Sequence, residues 1–277
     1  MRRLPRVTEE EFEFFRQLVH QRFGIDLSSG QEHFLARRLQ PLMERSGSRT
    51  PLEFAELLRS DLSGVWVSEL ANAVTTQHTG FFREPEHFTF LRGTALPELT
   101  ERKRADGELD LRIWSAACAT GAEPYSIILT LMAFLGAEYE RWDAGALATD
   151  ISDAALAKAR LGRYPRQLFD AVPVEFRRHF TPYDEGAWEL AEDVRREVTF
   201  RRFNLLETVL PFRRPFDVIF CRNVTIYFDQ ATRDALIARL YGATAPGGYL
   251  FIGHSETLDR DHSRYEYVKP SVYRRQL

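Results

Sequence analysis

Cysteine is scarce in this chain. Cys118 and Cys221 are the only two in 277 residues, with no Cys-x-x-Cys pair and no Cys/His pairing at metal spacing. That argues against a disulfide-stapled scaffold or a zinc module and suits a reducing compartment. Both thiols fall where strands are expected to end, and the expectation is that they are small packing residues. Lysine is nearly absent, three among 37 basic side chains, and the net charge is −3, so no global basic field points to nucleic acid. Long apolar runs are missing too. The uncharged stretch 125–137 is too short to cross a bilayer, and the start, MRRLPRVTEEEFEFF, is charged where a signal peptide would be apolar. There is no internal repeat and no low-complexity tract. A cytoplasmic protein is expected.

What is present falls into two textures. Residues 8–72 read as helical. Thr8 and Glu11 form a capping box ahead of Phe12, Phe15, Leu18 and Val19. Ser28 or Ser29 is placed to cap a second helix carrying Phe34, Leu35, Leu39 and Leu42, Thr50-Pro51 opens a third, and 65–77 suggests a fourth. A further helical stretch runs to about 104. From 109 onward strands and helices alternate. Strands are expected at 109–114, 146–149, 198–203, 216–221 and 249–253, with a terminal hairpin over 265–275. Helices cover 123–135, the stretch from Ser152 to Leu161, and a segment capped by Asp229. This alternation implies a mostly parallel sheet covered on both faces, with ligands beyond the carboxyl ends of its strands. The polar stretch about 178–198 reads as a small β excursion. The division expected is a helical domain over 1–75, a linker and helix over 76–108, and an α/β domain over 109–277.

The stretch WSAACATGAEPYS (114–126) joins a strand to a helix through small residues and one glycine. A dinucleotide loop would carry three glycines and a phosphate loop a lysine, and neither is here. A ligand without phosphate, S-adenosylmethionine, asks less of this turn. Its ribose hydroxyls suit a carboxylate at the end of the second strand, Asp150 in ALATD, and its cationic end suits Glu123. The plain structural alternatives are that Asp150 caps a helix and that Glu123 favours a helix N-terminus. In FDVIFCRNVTIYF (216–228), Arg222 and Asn223 follow a buried strand to the cleft rim, and Asn223 is placed to pair with adenine or substrate. Tyr227 adds a phenol, against the alternative of an exposed turn with a structural tyrosine.

Together, TGFFRE (79–84), SAACATGAEPYS (115–126), LATDIS (147–152), FNLLE (203–207), FCRNVTIYFD (220–229) and GGYLFIGHSE (247–256) closely resemble the motifs of bacterial chemotaxis receptor methyltransferases, in that family's order and over nearly the whole chain. The resemblance implies an α/β class I S-adenosylmethionine-dependent methyltransferase fold. It is Rossmann-like, with a mostly parallel seven-stranded sheet and a small β-subdomain, preceded by an all-helical N-terminal domain. It also implies S-adenosylmethionine as donor, S-adenosylhomocysteine as product, no metal, and receptor glutamate side chains as acceptors. The family's ligand positions transfer onto Thr79, Arg83, Glu123, Asp150, Asn204, Leu205, Arg222 and Asn223. At Gln77 the family often has Asn, so this chain keeps the amide one methylene further out. Ala122 and Thr225 also depart from common family residues without touching Glu123.

The chemistry expected is transfer to a carboxylate already ionised at neutral pH, which needs no base and agrees with the lack of a Ser/His/Asp or Cys/His constellation. Arg83 is expected to hold a carboxylate, the donor's or the acceptor's, and Tyr227 to orient the acceptor. His254 is the one tempting histidine, and no catalytic role is assigned to it. Arg37, Arg38 and Arg45 make a basic stripe suited to an acidic helical receptor bundle, or else a solvated helix face. Some family members grip a receptor's C-terminal pentapeptide through the β-subdomain; the shorter turn TPYDEGAWEL argues against that here. Two other readings stay open: a methyltransferase for small molecules or other protein acids, and a module that binds the donor without turnover.

Overall fold

The computed structural model describes residues 7–27, 30–62, 64–75, 79–259 and 263–277. Ser28, Ser29 and Gln77 lie outside the described residues.

The N-terminal region is built from α1 (Glu9–Phe23), α2 (Glu32–Ser46), α3 (Pro51–Ser60) and α4 (Val65–Val74). Local chemistry explains their starts. The Thr8 and Glu11 side chains exchange hydrogen bonds with each other's backbone, and Thr50 accepts from the Glu53 N–H ahead of Pro51. Their apolar stripes meet in one core that includes Phe15, Val19, Leu35, Leu39, Phe54 and Leu70. Helix α4 ends at Val74, short of the expected 77.

A helical connection follows: α5 (Pro85–Phe90), a π-helical turn Leu91–Ala95, and α6 (Leu96–Ala105). The α/β part then runs β1 (Ile113–Ala116), α7 (Ala122–Leu135), β2 (Ala146–Asp150), α8 (Asp153–Leu161), β3 (Arg163–Pro165), α9 (Arg166–Asp170), β4 (Phe180–Pro182), β5 (Ala187–Leu190), α10 (Glu192–Arg195), β6 (Val198–Arg202), β7 (Phe216–Cys221), α11 (Gln230–Ala243), β8 (Thr244–Phe251), β9 (Glu266–Lys269) and β10 (Val272–Arg274). The main sheet has seven strands in the order β6-β2-β1-β7-β8-β10-β9. Strands β6, β2, β1, β7 and β8 are parallel, and the hairpin β9-β10 closes the edge antiparallel. On one face α7 contributes Ile127, Ile128 and Leu131 to the core together with Leu91 and Leu96. On the other face α11 contributes Leu236 and Leu240.

Three strands differ from the sequence expectation, and one of them, β8, runs Thr244–Phe251 where 249–253 was expected. Strand β1 begins at Ile113, not 109, where its ladder with β2 starts: Ile113 pairs with Ala146, the first residue of β2, and with Val218 on the other side. Upstream, the alternating leucines Leu109 and Leu111 flank only an isolated bridge between Asp110 and Asp143. The small sheet is β3-β5-β4, so it takes a strand from 163–165, outside the expected excursion at 178–198. Three residues are too few to register as a period.

Chain order reverses between β1 and β7, and the register makes this the cleft. Ala116 lies level with Thr149 on one side and Cys221 on the other, so the loops leaving these strands emerge together. The N-terminal region closes the opening. The Asp26 N–H donates to the Tyr227 carbonyl at 2.8 Å, Ile25 bridges Phe228, and Asn204 Nδ2 donates to the Arg22 carbonyl at 2.8 Å. The close approach depends on Gly24, which ends α1 with φ +71°; a Cβ there would sit 2.8 Å from the Leu206 side chain.

Candidate active site

Thr79, Arg83, Glu123, Asp150, Asn204, Leu205, Arg222, Asn223 and Tyr227 all line one cleft of about 1020 Å³, counted with its open mouth. Every site residue expected from the sequence is therefore there except Gln77, which lies outside the described residues.

The floor is the turn after β1. Ala117 and Ala119 adopt left-handed φ values of 60° and 48°, and Gly121 follows at 88°. Only glycine fits at 121, where a Cβ would lie 2.8 Å from Ala159 Cβ. Asp150 holds this turn: one carboxylate oxygen accepts the Ala119 N–H at 2.8 Å and the other accepts the Ser152 N–H at 2.9 Å. Burial pushes its carboxyl up, against those backbone donors. It is not the cap of α8; Ser152 is, accepting from the Ala155 N–H.

One wall is a buried charge chain. The Arg222 guanidinium, 5% exposed, donates to Glu123 Oε2 and to Glu84 Oε2, each at 2.9 Å, and to the Arg83 carbonyl. Glu123 also accepts from the Ser115 hydroxyl at 2.8 Å. Burial pushes the Glu123 carboxyl up. Glu84 goes the other way: burial opposes ionisation, yet bonds to Arg222 and Asn223 hold it at about 2. Much of Arg222 is thus engaged with protein, and its nearest partners are carboxylates rather than open cleft.

The rim is strained backbone. Phe82, Glu84 and Asn223 have φ values of 51°, 59° and 57°, conformations that persist only where surroundings enforce them. Glu256, 8% exposed, does so for the Asn223 loop. It accepts from the Asn223, Val224, Thr225 and Gly253 N–H groups and from the Thr225 hydroxyl, at 2.5–3.0 Å. The Asn204 amide is turned to the chain, donating to Arg22 and accepting from the Leu206 N–H. Phe23 and Ile25 from the helical region complete the lining.

Sequence reasoning missed Glu84 and Glu256, although both sit inside motifs it singled out, TGFFRE and GGYLFIGHSE. It also missed Phe23 and Ile25, which no local pattern distinguishes from helix core. Burial pushes both cysteine thiols well up, as expected of packing residues rather than nucleophiles. His254 does not line the cleft; its Nε2 lies 3.9 Å from Glu84 and 3.8 Å from Glu86.

The cleft suits S-adenosylmethionine. A small-residue floor allows close approach, a carboxylate at the end of β2 offers acceptors to ribose hydroxyls, and a second buried carboxylate, Glu123, suits a cationic ligand. Residues 77–274 match the family described as CheR methyltransferase, SAM binding domain, and residues 10–75 match CheR methyltransferase, all-alpha domain. A chemotaxis protein methyltransferase of Borreliella burgdorferi is 34% identical over 270 residues, covering 97% of this chain and 95% of the relative. That of Escherichia coli K12 is 36% identical over 272 residues, covering 96% and 91%. A probable chemotaxis protein methyltransferase of Rhizobium etli is 37% identical over 243 residues, covering 86% and 89%. With its helical and α/β parts both matched and both lining one cleft, the chain belongs to the CheR methyltransferase family.

Proposed function

We propose that this protein transfers the methyl group of S-adenosylmethionine to glutamate side chains in the cytoplasmic helical region of chemoreceptors, giving methyl esters. The observation that carries the reading is the cleft itself, where Asp150 and Glu123 lie inside and Arg83 and Tyr227 stand with Asn223 among its lining residues. When bound, the donor supplies an electrophilic methyl carbon on a sulfonium. Asp150 receives the ribose, and the buried Glu123 favours the cationic end. The acceptor carboxylate is ionised near neutral pH, its ordinary pKa being about 4.3, so no base is required. The chain's task is alignment and exclusion of water. Arg83 grips a carboxylate through its planar fork, and Tyr227 orients the acceptor by a hydrogen bond. Charge is neutralised during transfer, so holding the separated ions too tightly would slow it. Incubation with radiolabelled donor and receptor cytoplasmic domains tests the reading. Base-labile label on the receptor is expected; label on small acids alone, or donor binding without turnover, overturns it.

Arg83→Lys is expected to reduce turnover at least tenfold, because lysine keeps the charge and loses the fork. Steady-state kinetics on receptor fragments check this, and near wild-type turnover removes Arg83 from the reacting complex.

Docking is assigned to α2. Arg37 is exposed, whereas Arg38 lies over the Phe34 ring at 5.0 Å and Arg45 pairs with Glu69 at 2.9 Å. Arg37 is therefore the residue best placed to meet an acidic bundle, with Arg38 beside it. Reversing both charges together, Arg37→Glu with Arg38→Glu, is expected to weaken apparent receptor affinity while donor affinity holds. The defect should shrink at high salt, as the Debye length falls from about 10 Å at 0.1 M to about 3 Å at 1 M. Wild-type methylation rates at low salt would leave the stripe a solvated face. No described helix is long and apolar enough to cross a membrane, and the cytoplasm, where such receptor regions lie, is the proposed location.

A further inference from the structure

Behind the cleft wall, three side chains converge that the methyl-transfer reading does not use as ligands for the donor. His87, on α5, is 1% exposed, and neither of its ring nitrogens has a hydrogen-bond partner among the described residues. An orphaned imidazole this deeply buried is costly and calls for a ligand. Glu84 Oε2 lies 3.4 Å from His87 Nδ1. His254 packs its ring edge-on to that of His87 with centroids 5.1 Å apart, and its Nε2 lies 3.9 Å from the same Glu84 oxygen. Ligand atoms of Glu84, His87 and His254 all fall within 4.8 Å of one another.

We infer that Glu84, His87 and His254 form a binding site for a divalent transition-metal ion of the zinc type. The geometry is close to what such an ion needs. Zinc binds imidazole nitrogen and carboxylate oxygen at about 2.0–2.2 Å, which puts tetrahedral ligands about 3.4 Å apart. The two spacings to Glu84 are 3.4 Å and 3.9 Å, and the two histidine nitrogens lie within 4.8 Å of each other, so side-chain shifts of up to about 1.4 Å complete the set. Glu86 Oε2, 3.8 Å from His254 Nε2, lies outside the three-residue cluster, so water supplies the fourth position. The mixed nitrogen and oxygen donors favour zinc, cobalt or nickel over calcium and magnesium, which take oxygen. The local charge admits a cation. Glu84 and Glu123 pair with Arg222, and Glu86 lies beside His254, so three carboxylates stand against the two cations that act on this corner, Arg222 and Lys269. An entry path exists as well, because His87 is sealed inside while the His254 side chain is 49% exposed. The ion would share Glu84 Oε2 with Arg222, which keeps its bonds to Glu123 and the Arg83 carbonyl.

The test uses the full chain stripped with a chelator, titrated with zinc by calorimetry and with cobalt by visible absorption, followed by metal analysis after gel filtration. One equivalent should bind, and cobalt should give the absorption of a four-coordinate nitrogen and oxygen site. His254→Ala, a half-exposed position that the fold tolerates, should weaken zinc binding at least tenfold and abolish the cobalt signal. His87→Gln should do the same, with circular dichroism reporting its folding. Absence of stoichiometric uptake overturns the inference. So does uptake undiminished in His254→Ala, which would assign the metal to other histidines.

Discussion

Arg222→Met is expected to lower folding stability by about 3–5 kcal/mol, the usual cost of breaking a buried ion pair from one side. Methionine keeps an unbranched chain of similar reach and removes the charge. Two carboxylates, Glu84 and Glu123, each 2.9 Å from the guanidinium, are then left facing each other in a buried corner. The Arg83 carbonyl also loses its donor, which loosens the strained turn that carries Phe82 and Glu84. Urea denaturation of wild type and variant measures the loss. Adding Glu84→Gln and Glu123→Gln to the variant should recover part of it, because the uncompensated charge is then gone. A titration of the Glu84 carboxyl by NMR gives a second readout. In the wild type it is held at about 2, below its ordinary 4.5. A carboxyl held below its unfolded value adds stability that is complete above that value and is lost as pH falls towards the folded one, here between about 4.5 and 2. Without Arg222, burial dominates and the Glu84 carboxyl should rise to or beyond its ordinary range. Unchanged midpoints and an unmoved Glu84 titration would mean that the corner is solvated enough to bear its own charge.

Asp150→Ala is expected to weaken donor binding by about 1.5–3 kcal/mol, the scale of hydrogen bonds to a charged group. The residue acts twice. Its carboxylate closes the turn after β1 by accepting the Ala119 and Ser152 N–H groups, and each oxygen keeps further acceptor capacity at a position that lines the cleft. Asp150→Asn should lose affinity as well. An amide offers one acceptor where two N–H donors converge, and its NH2 group meets one of them donor to donor. Calorimetric titration with S-adenosylhomocysteine checks both variants. Unchanged affinity in a folded Asp150→Ala protein would remove the ribose assignment.

The features legible in the sequence alone are those governed by contacts a few residues apart. The capping box at Thr8, Pro51 behind Thr50, Ser152 ahead of α8 and Asp229 ahead of α11 all act within three or four residues. The buried strand Phe216–Cys221 is likewise visible, as an apolar run broken only by Asp217. Because a parallel sheet gathers the ends of its strands, Glu123, Asp150, Arg222 and Asn223 could be placed at one cleft before any distance was known. What tertiary structure decided is how those residues are held and what lies behind them. Where β1 begins depends on how far β2 extends alongside it, and β3 exists only because β5 pairs with it. The engagement of Arg222 with Glu84 and Glu123, four of the five bonds to Glu256, and the meeting of His87 with His254 join residues about 30 to 170 positions apart. No local period encodes such pairs. They form only when the closed fold removes water from charged and polar groups, so that each must find its partner within the protein.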